Sequence, residues 1–432
     1  MANESLHSRD SPDARREQPP APPDVGSSPS GPVAGPGYYP ALTAASTTLW
    51  ALLLGPVLTT IPGQVDHLAP ESRVAALAVV TSVGGMVGIL AGPLIGRLSD
   101  ATDTRWGRRR PWLTAGAALI LAASYAAGRA GSVGELVLWW GLLQLGASTV
   151  LAPLTATVPD RVPEDRRGVA SACLGAAGAF APVLGTAVQA LTQSAADTYT
   201  TLAILVVLAQ LFFLAALRGD RARPVPLPDR RHRPHILFPR RHRDFALVWA
   251  HRFLFALGQN VSFAYLFFYL QDVVRYEHLY PGRTTDDGAL VLTVVYGSCA
   301  VLAALLAGTL CDRTHRFKVY ILASALAFVG GTLLGTVTAS WSGVLALAAL
   351  TGTGYGAYEA VSMAMAIRLL PDQERRARDL SVINTAGLIA IALGPIAAAA
   401  LIDLSGYSTM FAAASVTALA GGVVVTFVRG AP

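Results

Sequence analysis

Hydrophobic residues fall in long, nearly uninterrupted blocks of about 18 to 25 residues, separated by short charged or Pro- and Gly-containing breaks. A helix of this length crosses the ~30 Å hydrocarbon core of a bilayer. Helix is expected because lipid offers no partners to backbone N–H and C=O groups. We therefore predict an all-α polytopic membrane protein with twelve transmembrane helices. The predicted spans are 41–62, 73–96, 111–128, 134–157, 167–190, 199–217, 245–271, 288–311, 318–338, 342–369, 380–402 and 406–428.

Two polar segments lie outside these blocks, one at the start of the chain and one between spans 6 and 7. Residues 1–38 are rich in Pro, Ser, Gly and charge, which predicts a disordered cytoplasmic tail. A partner-binding motif is the alternative there. The predicted domains are this tail, an N-terminal six-helix half (39–217), a basic cytoplasmic linker (218–243) and a C-terminal six-helix half (244–432).

Composition agrees with a membrane protein, because 53% of the 432 residues are hydrophobic and only 14% are charged. Soluble domains carry about 25% charged residues. The three cysteines show no CxxC spacing, so neither a disulfide framework nor a Cys-rich metal site is expected.

The basic residues lie almost entirely on one predicted side. Of the 33 Lys and Arg residues, 29 fall in the tail, in alternate bends, in the central loop with the start of span 7 (which includes Arg252), and at the chain end. The other side holds only Arg73, Arg129, Arg275 and Arg283. This asymmetry predicts that both termini are cytoplasmic. It also explains the basic excess without nucleic acid as a partner. The expected location is the plasma membrane.

The linker contains a pair of histidines, His232 and His235, at a spacing that could suit a metal. No carboxylate or thiol cluster completes a ligand set. We expect a solvated linker that touches anionic lipid headgroups.

A motif repeats at half the chain length. Gly96-x-x-x-Asp100 follows span 2 and recurs 212 positions later as Gly308-x-x-x-Asp312 after span 8. Spans 5 and 11 also match, with a small residue before Pro182 and before Pro395. Two six-helix repeats are typical of transporters that work by alternating access, with the solute site between the halves.

The segment GPLIGRLSDATDTRWGRRRPWL, residues 92–113, concentrates charge between spans 2 and 3. It resembles the G-x-x-x-D-…-G-R-[RK] signature of the major facilitator superfamily, and the resemblance covers residues 40–430. With six residues between Asp100 and Gly107, the longer form is similar to the glycoside–pentoside–hexuronide:cation symporter branch and its sucrose-transporter relatives. VPDRVPEDRRGVAS, FFYLQD and LLPDQERRARDLSVIN are similar to the same branch.

This resemblance implies that the charged bend is a cytoplasmic gate. Asp100, Arg108 and Arg109 would form a latch between the halves, with Asp160 or Asp379 as partners. The alternative is topological anchoring alone, since an exposed ion pair contributes only about 0–1 kcal/mol. The predicted gate residues are Gly96, Asp100, Gly107, Arg108, Arg109, Asp312 and Arg313.

The sequence holds no machinery for chemistry of its own. Lys318 is the only lysine and Val follows it, so no Walker-type phosphate loop can occur, and HExxH and GxSxG are absent. We predict a protein that is not an enzyme, needs no cofactor, and runs on a gradient or on an ATPase from another chain.

One acidic residue lies deep within a predicted span. Glu359 precedes Arg368 by nine residues, which is ~13 Å of helix rise and places it near the midplane. A carboxylate there is costly and indicates function, and burial favours its protonated form. Glu359 is our candidate for proton coupling, with a structural hydrogen-bonded glutamate as the alternative.

Polar and aromatic residues at similar depth are candidates for a substrate cavity. Amides and aromatic rings suit sugars, but they also suit flat hydrophobic drugs, and each residue could instead join helices. Glycines 352, 354 and 356 are expected to permit close helix approach. The cavity candidates are Gln144, Ser148, Gln189, Gln259, Asn260, Tyr265, Tyr355, Tyr358 and Asn384.

Three functions compete. Proton-coupled sugar or glycoside symport is favoured by the branch resemblance, although spans 1, 2 and 4 lack the mid-membrane acids of that family. Proton-coupled efflux of a drug or natural product is the alternative, although span 4 lacks the arginine of antiporters. A receptor on a transporter fold is the third. The expected partners are a small solute, protons or another cation, and the lipid bilayer, with the monomer as the working unit.

Overall fold

The computed structural model describes residues 35, 37–163, 166–217, 243–369 and 376–429, without the side chains of 376–381. The predicted tail before residue 35 and the linker before Arg243 therefore lie outside the described residues. Helices dominate the described chain, and no strand occurs within it.

Twelve long helices follow one another. They are α1 (Tyr38–Leu68), α2 (Arg73–Ala101), α3 (Arg110–Ala127), α4 (Val133–Arg161), α5 (Arg167–Leu191), α6 (Ala195–Ala216), α7 (Arg243–Phe263), α8 (Thr285–Thr314), α9 (Phe317–Val337), α10 (Trp341–Arg368), α11 (Arg376–Ser405) and α12 (Tyr407–Val424). Each corresponds to one predicted span, so the prediction of an all-α polytopic fold is confirmed.

Hydropathy separates ten of these helices from two others. In the described chain, nine are long and apolar enough to cross a membrane, and a tenth span results when α7 is joined to its bent continuation Leu266–Val274. The two others are α3, which begins at Arg110, and α10, which carries three glycines, two tyrosines and Glu359 in the stretch 351–360. The lower hydropathy of α10 fits a helix that faces a polar interior rather than lipid.

The two halves pack in the same way. In the N-terminal half, α1 packs on α5 and α6, α2 on α4, and α3 on α4 and α6. In the C-terminal half, α7 packs on α11 and α12, α8 on α10, and α9 on α10 and α12. The main contacts between the halves are those of α2 with α11 and of α5 with α8. These two contacts are equivalent, because the repeat relates α2 to α8 and α5 to α11. The predicted six-helix repeat is confirmed.

Glycines permit the close contacts of α10. A Cβ at Gly352 or Gly356 would overlap the backbone carbonyl of Tyr296 or Ala300 in α8, and one at Gly354 would lie 2.5 Å from the backbone nitrogen of Phe328 in α9. The predicted role of these three glycines is confirmed, and α10 is held against both neighbours at the depth of Glu359.

The helix α7 ends at a sharp break. It bends by 42° between Phe263 and its continuation Leu266–Val274. At the break, the buried hydroxyl of Tyr265 donates to the carbonyl oxygen of Val74 in α2 at 2.9 Å and to that of Pro395 in α11 at 3.2 Å. The break therefore brings α7 against the other half of the molecule.

Candidate functional site

A cavity of about 160 Å³ lies among α7, α10 and α11 of the C-terminal half. Four predicted cavity residues and the predicted coupling glutamate meet there, because their two helices cross at the same depth. The lining residues are Arg252, Phe255, Ala256, Gln259, Asn260, Tyr355, Tyr358, Glu359, Gly387 and Ile391.

An ion pair joins the two helices at this cavity. Nη2 of Arg252 lies 2.7 Å from Oε1 of Glu359, and Nη1 donates to Oγ of Ser362 at 3.0 Å. Arg252 follows the start of α7 by nine residues and Glu359 precedes the end of α10 by nine, so both lie ~13 Å from one end of the bundle. Removing one partner of a fully buried pair costs about 3–5 kcal/mol, less where one partner meets solvent.

The position of Arg252 adds to a prediction. We expected this residue at the start of span 7, counted with the basic residues of one side, and predicted no partner for it. Its side chain is 11% exposed inside the bundle, where the opposite charge of Glu359 offsets the cost of burying a guanidinium. The contact with Arg252 is also what the alternative role of Glu359 requires, namely a hydrogen bond to a neighbouring helix. The role of Glu359 in proton coupling stays a prediction.

An aromatic wall stands beside the ion pair. The ring of Tyr358 stacks on Phe255, and its hydroxyl bonds both Nδ1 of the buried His251 at 2.8 Å and the carbonyl oxygen of that residue at 3.1 Å. A hydroxyl that donates to a carbonyl can still accept from an N–H, so this geometry fits His251 with its proton on Nδ1. The wall is rigid because the ring of Tyr358 is held by stacking on Phe255 and its hydroxyl is held by hydrogen bonds to His251.

The sequence model of the Major Facilitator Superfamily matches residues 39–288 and 284–432. The matches span nearly the whole described bundle. The chain belongs to the major facilitator superfamily. This membership makes it a membrane transporter rather than an enzyme, and it agrees with the two six-helix halves.

Solved structures share the fold of this transporter. A bacterial homolog of the human lysosomal transporter Spinster, in an inward-facing and occupied conformation, is 15% identical, with 91% of this chain and 94% of that chain covered and a TM-score of 0.65. The nucleoside transporter NupG, as its D323A mutant, is 12% identical, with 91% and 100% covered and a TM-score of 0.69. No curated protein matches the sequence.

The charged bend between α2 and α3 forms a network within the N-terminal half of the transporter. Arg109 donates to Oδ1 of Asp100 at 2.6 Å, to Oγ of Ser99 at 2.6 Å and to Oδ2 of Asp160 at 3.1 Å. Arg108 donates to the carbonyl oxygen of Asp100 at 3.1 Å. Asp160 belongs to α4, so these contacts tie α2 to α4 in one half. The latch between the halves stays a prediction, and the side chain of Asp379 lies outside the described residues.

The remaining gate residues surround this network or its repeat. Gly107 adopts a φ of 94°, a conformation that favours glycine and turns the chain before Arg108. Asp312 and Arg313 are exposed at the end of α8. Gly96 lies in α2, where an added Cβ would meet no described atom within 4 Å. We call the end of the bundle that holds the 102–109 bend the signature end.

A second charged network closes the other end between the two halves. Arg73 at the start of α2 lies 2.7 Å from Asp66 of α1 and 2.7 Å from both carboxylate oxygens of Asp272, which follows α7. Gln271 donates to Asp66 at 2.9 Å, and the hydroxyl of Tyr407 donates to Asp272 at 2.6 Å. We call these five residues the opposite-end network.

Two predicted cavity residues lie at the interface between the halves instead of at the cavity. Gln189 accepts from Thr60 at 2.5 Å and donates to Asp286 of α8 at 3.2 Å. Tyr265 bridges α2 and α11 as described above. Both residues therefore join helices, which is the alternative role that the sequence left open for each cavity candidate.

Three further predicted cavity residues do not line the cavity. Gln144 packs beside α2, with its Oε1 3.7 Å from a Cβ position at Gly88. Ser148 is half-buried on α4, and Asn384 is exposed on α11. The structure thus gathers the C-terminal candidates on α7 and α10 and leaves the N-terminal ones apart.

Sequence reasoning missed Arg252, His251 and the opposite-end network. Depth counting of the kind applied to Glu359 would have placed Arg252 at the same depth, had basic residues within the spans been counted as well as acidic ones. The sequence does place three of these residues at the same predicted membrane face: Asp66, Arg73 and Asp272. Their pairing depends on the bend of α7, which no sequence pattern indicated.

Proposed function

We propose that this transporter moves a sugar or glycoside across the plasma membrane together with protons, in the same direction, and that Glu359 is the proton site. The observation that carries the proposal is the Arg252–Glu359 ion pair inside a cavity. Protonation of Glu359 removes the charge that holds Arg252, so proton binding changes the contact between α7 and α10. A change of contact between helices is what links a bound proton to alternating access.

The lining of the cavity supports the choice of solute. Gln259 and Asn260 supply amides, and Phe255, Tyr355 and Tyr358 supply ring faces. Sugar rings combine hydroxyls with an apolar face, so both kinds of group have a use. The branch resemblance of the bend at Asp100–Arg110 supports the same class.

Proton-coupled efflux of a drug or natural product is the second candidate. The aromatic wall of Tyr358 on Phe255 favours it, because a rigid ring pair also binds flat apolar molecules. In this account the bend residues from Gly96 to Arg109, with Asp312 and Arg313, form the cytoplasmic gate for either direction of transport, and both termini are cytoplasmic.

Transport by purified protein in sealed vesicles tests the proposal. A pH-sensitive dye inside the vesicles reports proton movement after external addition of sucrose, lactose, uridine or ethidium. Acidification of the lumen on addition of a sugar supports symport. Alkalinisation with ethidium supports efflux. Movement of solute without protons, or coupled to sodium alone, contradicts proton coupling.

A further inference from the structure

The amide of Asn260 has a defined orientation at the cavity. Its Nδ2 donates to the carbonyl oxygen of Ala256 at 2.8 Å. A carbonyl only accepts, so this contact fixes the nitrogen there and leaves Oδ1 as the free end of the amide. Oδ1 has no hydrogen bond within the described part of the chain. Asn260 therefore offers the cavity an acceptor.

Gln259 and Tyr358 also use their polar groups for contacts within the protein. Nε2 of Gln259 donates to the hydroxyl of Tyr296 at 3.3 Å. The hydroxyl of Tyr358 is engaged twice by His251. Gln259 also has a side-chain hydrogen bond with Tyr355, so a solute that enters between α7 and α10 meets an amide that already has partners.

The ion pair presents its two charges unequally. The side chain of Arg252 is 11% exposed and that of Glu359 is 40% exposed. The guanidinium is held by Glu359 and Ser362, whereas Oε2 of Glu359 makes no hydrogen bond to a described residue. A solute therefore meets the carboxylate first, and the positive charge lies behind it.

We propose that this cavity selects neutral solutes that donate hydrogen bonds and rejects their carboxylated counterparts, with Asn260 and Glu359 as the residues that set the selection. Hydroxyl groups match two acceptor oxygens, Oδ1 of Asn260 and Oε2 of Glu359. A carboxylate on the solute would face these acceptors and the charge of Glu359, while the guanidinium of Arg252 lies behind that charge, held by Glu359 and Ser362. The inference rests on the proposed function, since it takes this cavity as the solute site.

Matched probes test the selection on the full-length protein in detergent. Methyl β-glucoside and methyl β-glucuronide differ only in a CH₂OH or a carboxylate, and so do uridine and its 5′-carboxylic acid. Isothermal titration at neutral pH should give a dissociation constant for at least one neutral probe that is about tenfold or more lower than that of its acid. Equal or tighter binding of the acids, or binding of no probe, would overturn the proposal.

Two kinds of variant test the named residues. Glu359→Gln removes the facing charge and frees Arg252, so binding of the favoured probe's acid should strengthen by about tenfold. Asn260→Leu removes an acceptor and should weaken the neutral probe by about tenfold. An unchanged preference in Glu359→Gln contradicts the selection. The unliganded unfolding temperature of each variant shows whether it folds.

These titrations separate the inference from the proposed function. They are done without a gradient, so loss of proton coupling would leave the preference for neutral probes intact. Conversely, proton-coupled transport of a carboxylated solute would support the function and overturn the selection.

Discussion

At the scale of single residues, the site is a pairing of opposite charges that no local pattern specifies. The depth of Glu359 was readable from its distance to Arg368, and four neighbouring candidates on α7 and α10 followed from spacing. The partner Arg252 was placed at the start of span 7 and counted with the basic residues of one side, because basic residues near a helix start usually mark a membrane face. Only the crossing of α7 and α10 shows that the two charges meet.

The aspartate of the charged bend carries a residue-scale prediction. Asp100 accepts from Arg109 at 2.6 Å, and Arg109 also holds Asp160. We expect Asp100→Asn to lower the transport rate about tenfold or more, because the helix ends that it joins must move together. Uptake assays of the variant, normalised to its amount in the membrane, measure the effect.

Asp103 is the control for this variant. It lies exposed in the same bend, and Asp103→Asn should transport like wild type. If Asp100→Asn transports at the wild-type rate, the gate role of Asp100 is contradicted, and only the role of the bend in membrane orientation remains.

At the scale of elements, the apolar blocks were sufficient to locate all twelve helices. Their ends were less predictable: α2 runs to Ala101 and α4 to Arg161, past the predicted limits, because a helix can continue into water beyond the hydrocarbon core. The bend at Tyr265 was not predicted, since no proline or glycine occurs in the residues 263–266 that form the break. It is fixed by contacts with α2 and α11.

The glycines of α10 carry an element-scale prediction. A Cβ at Gly356 would overlap the carbonyl of Ala300, so Gly356→Ala must push α10 away from α8. We expect the free energy of unfolding to fall by about 1–3 kcal/mol, as for other overpacked cores. Thermal unfolding of the purified protein in detergent measures this change.

Gly330 of α9 is the matched control. A Cβ there meets nothing within 4 Å, and Gly330→Ala should leave stability unchanged or raise it by up to about 1 kcal/mol through helix propensity. Equal stability of the two alanine variants would contradict the close approach of α10 and α8.

At the scale of the whole molecule, the repeat was visible in the sequence but the conformational state was not. The Gly96–Asp100 and Gly308–Asp312 motifs indicated two equivalent halves, and the packing repeats accordingly. The opposite-end network binds the halves together at one end, whereas Arg109 and its partners lie within one half. Among the charged contacts of the described residues, the pair that joins the halves, Arg73 with Asp272, therefore lies at the end away from the 102–109 bend.

The opposite-end network carries a prediction for the population of states. Asp272→Asn removes the charge that holds Arg73 and weakens the acceptor of Tyr407. Partly exposed pairs contribute up to about 1 kcal/mol, so we expect the population open at this end to rise by about twofold to fivefold. Spin labels at the exposed positions Gln193 and His278, in a variant without the three native cysteines, report the distance between the halves.

A nearby acidic residue is the control for that measurement. Glu71 is exposed just before Arg73 and outside the network, so Glu71→Gln should give the wild-type distance distribution. If Asp272→Asn also gives the wild-type distance distribution, the opposite-end network does not hold the two halves together at that end.

The central claim is that Glu359 couples proton movement to solute movement, and replacement by glutamine tests it most directly. In vesicles loaded with a transported solute, Glu359→Gln should retain exchange of labelled for unlabelled solute, because exchange needs no net proton transfer. The same vesicles under an imposed proton gradient should show no accumulation above equilibrium. Accumulation by Glu359→Gln at the wild-type level would contradict the account.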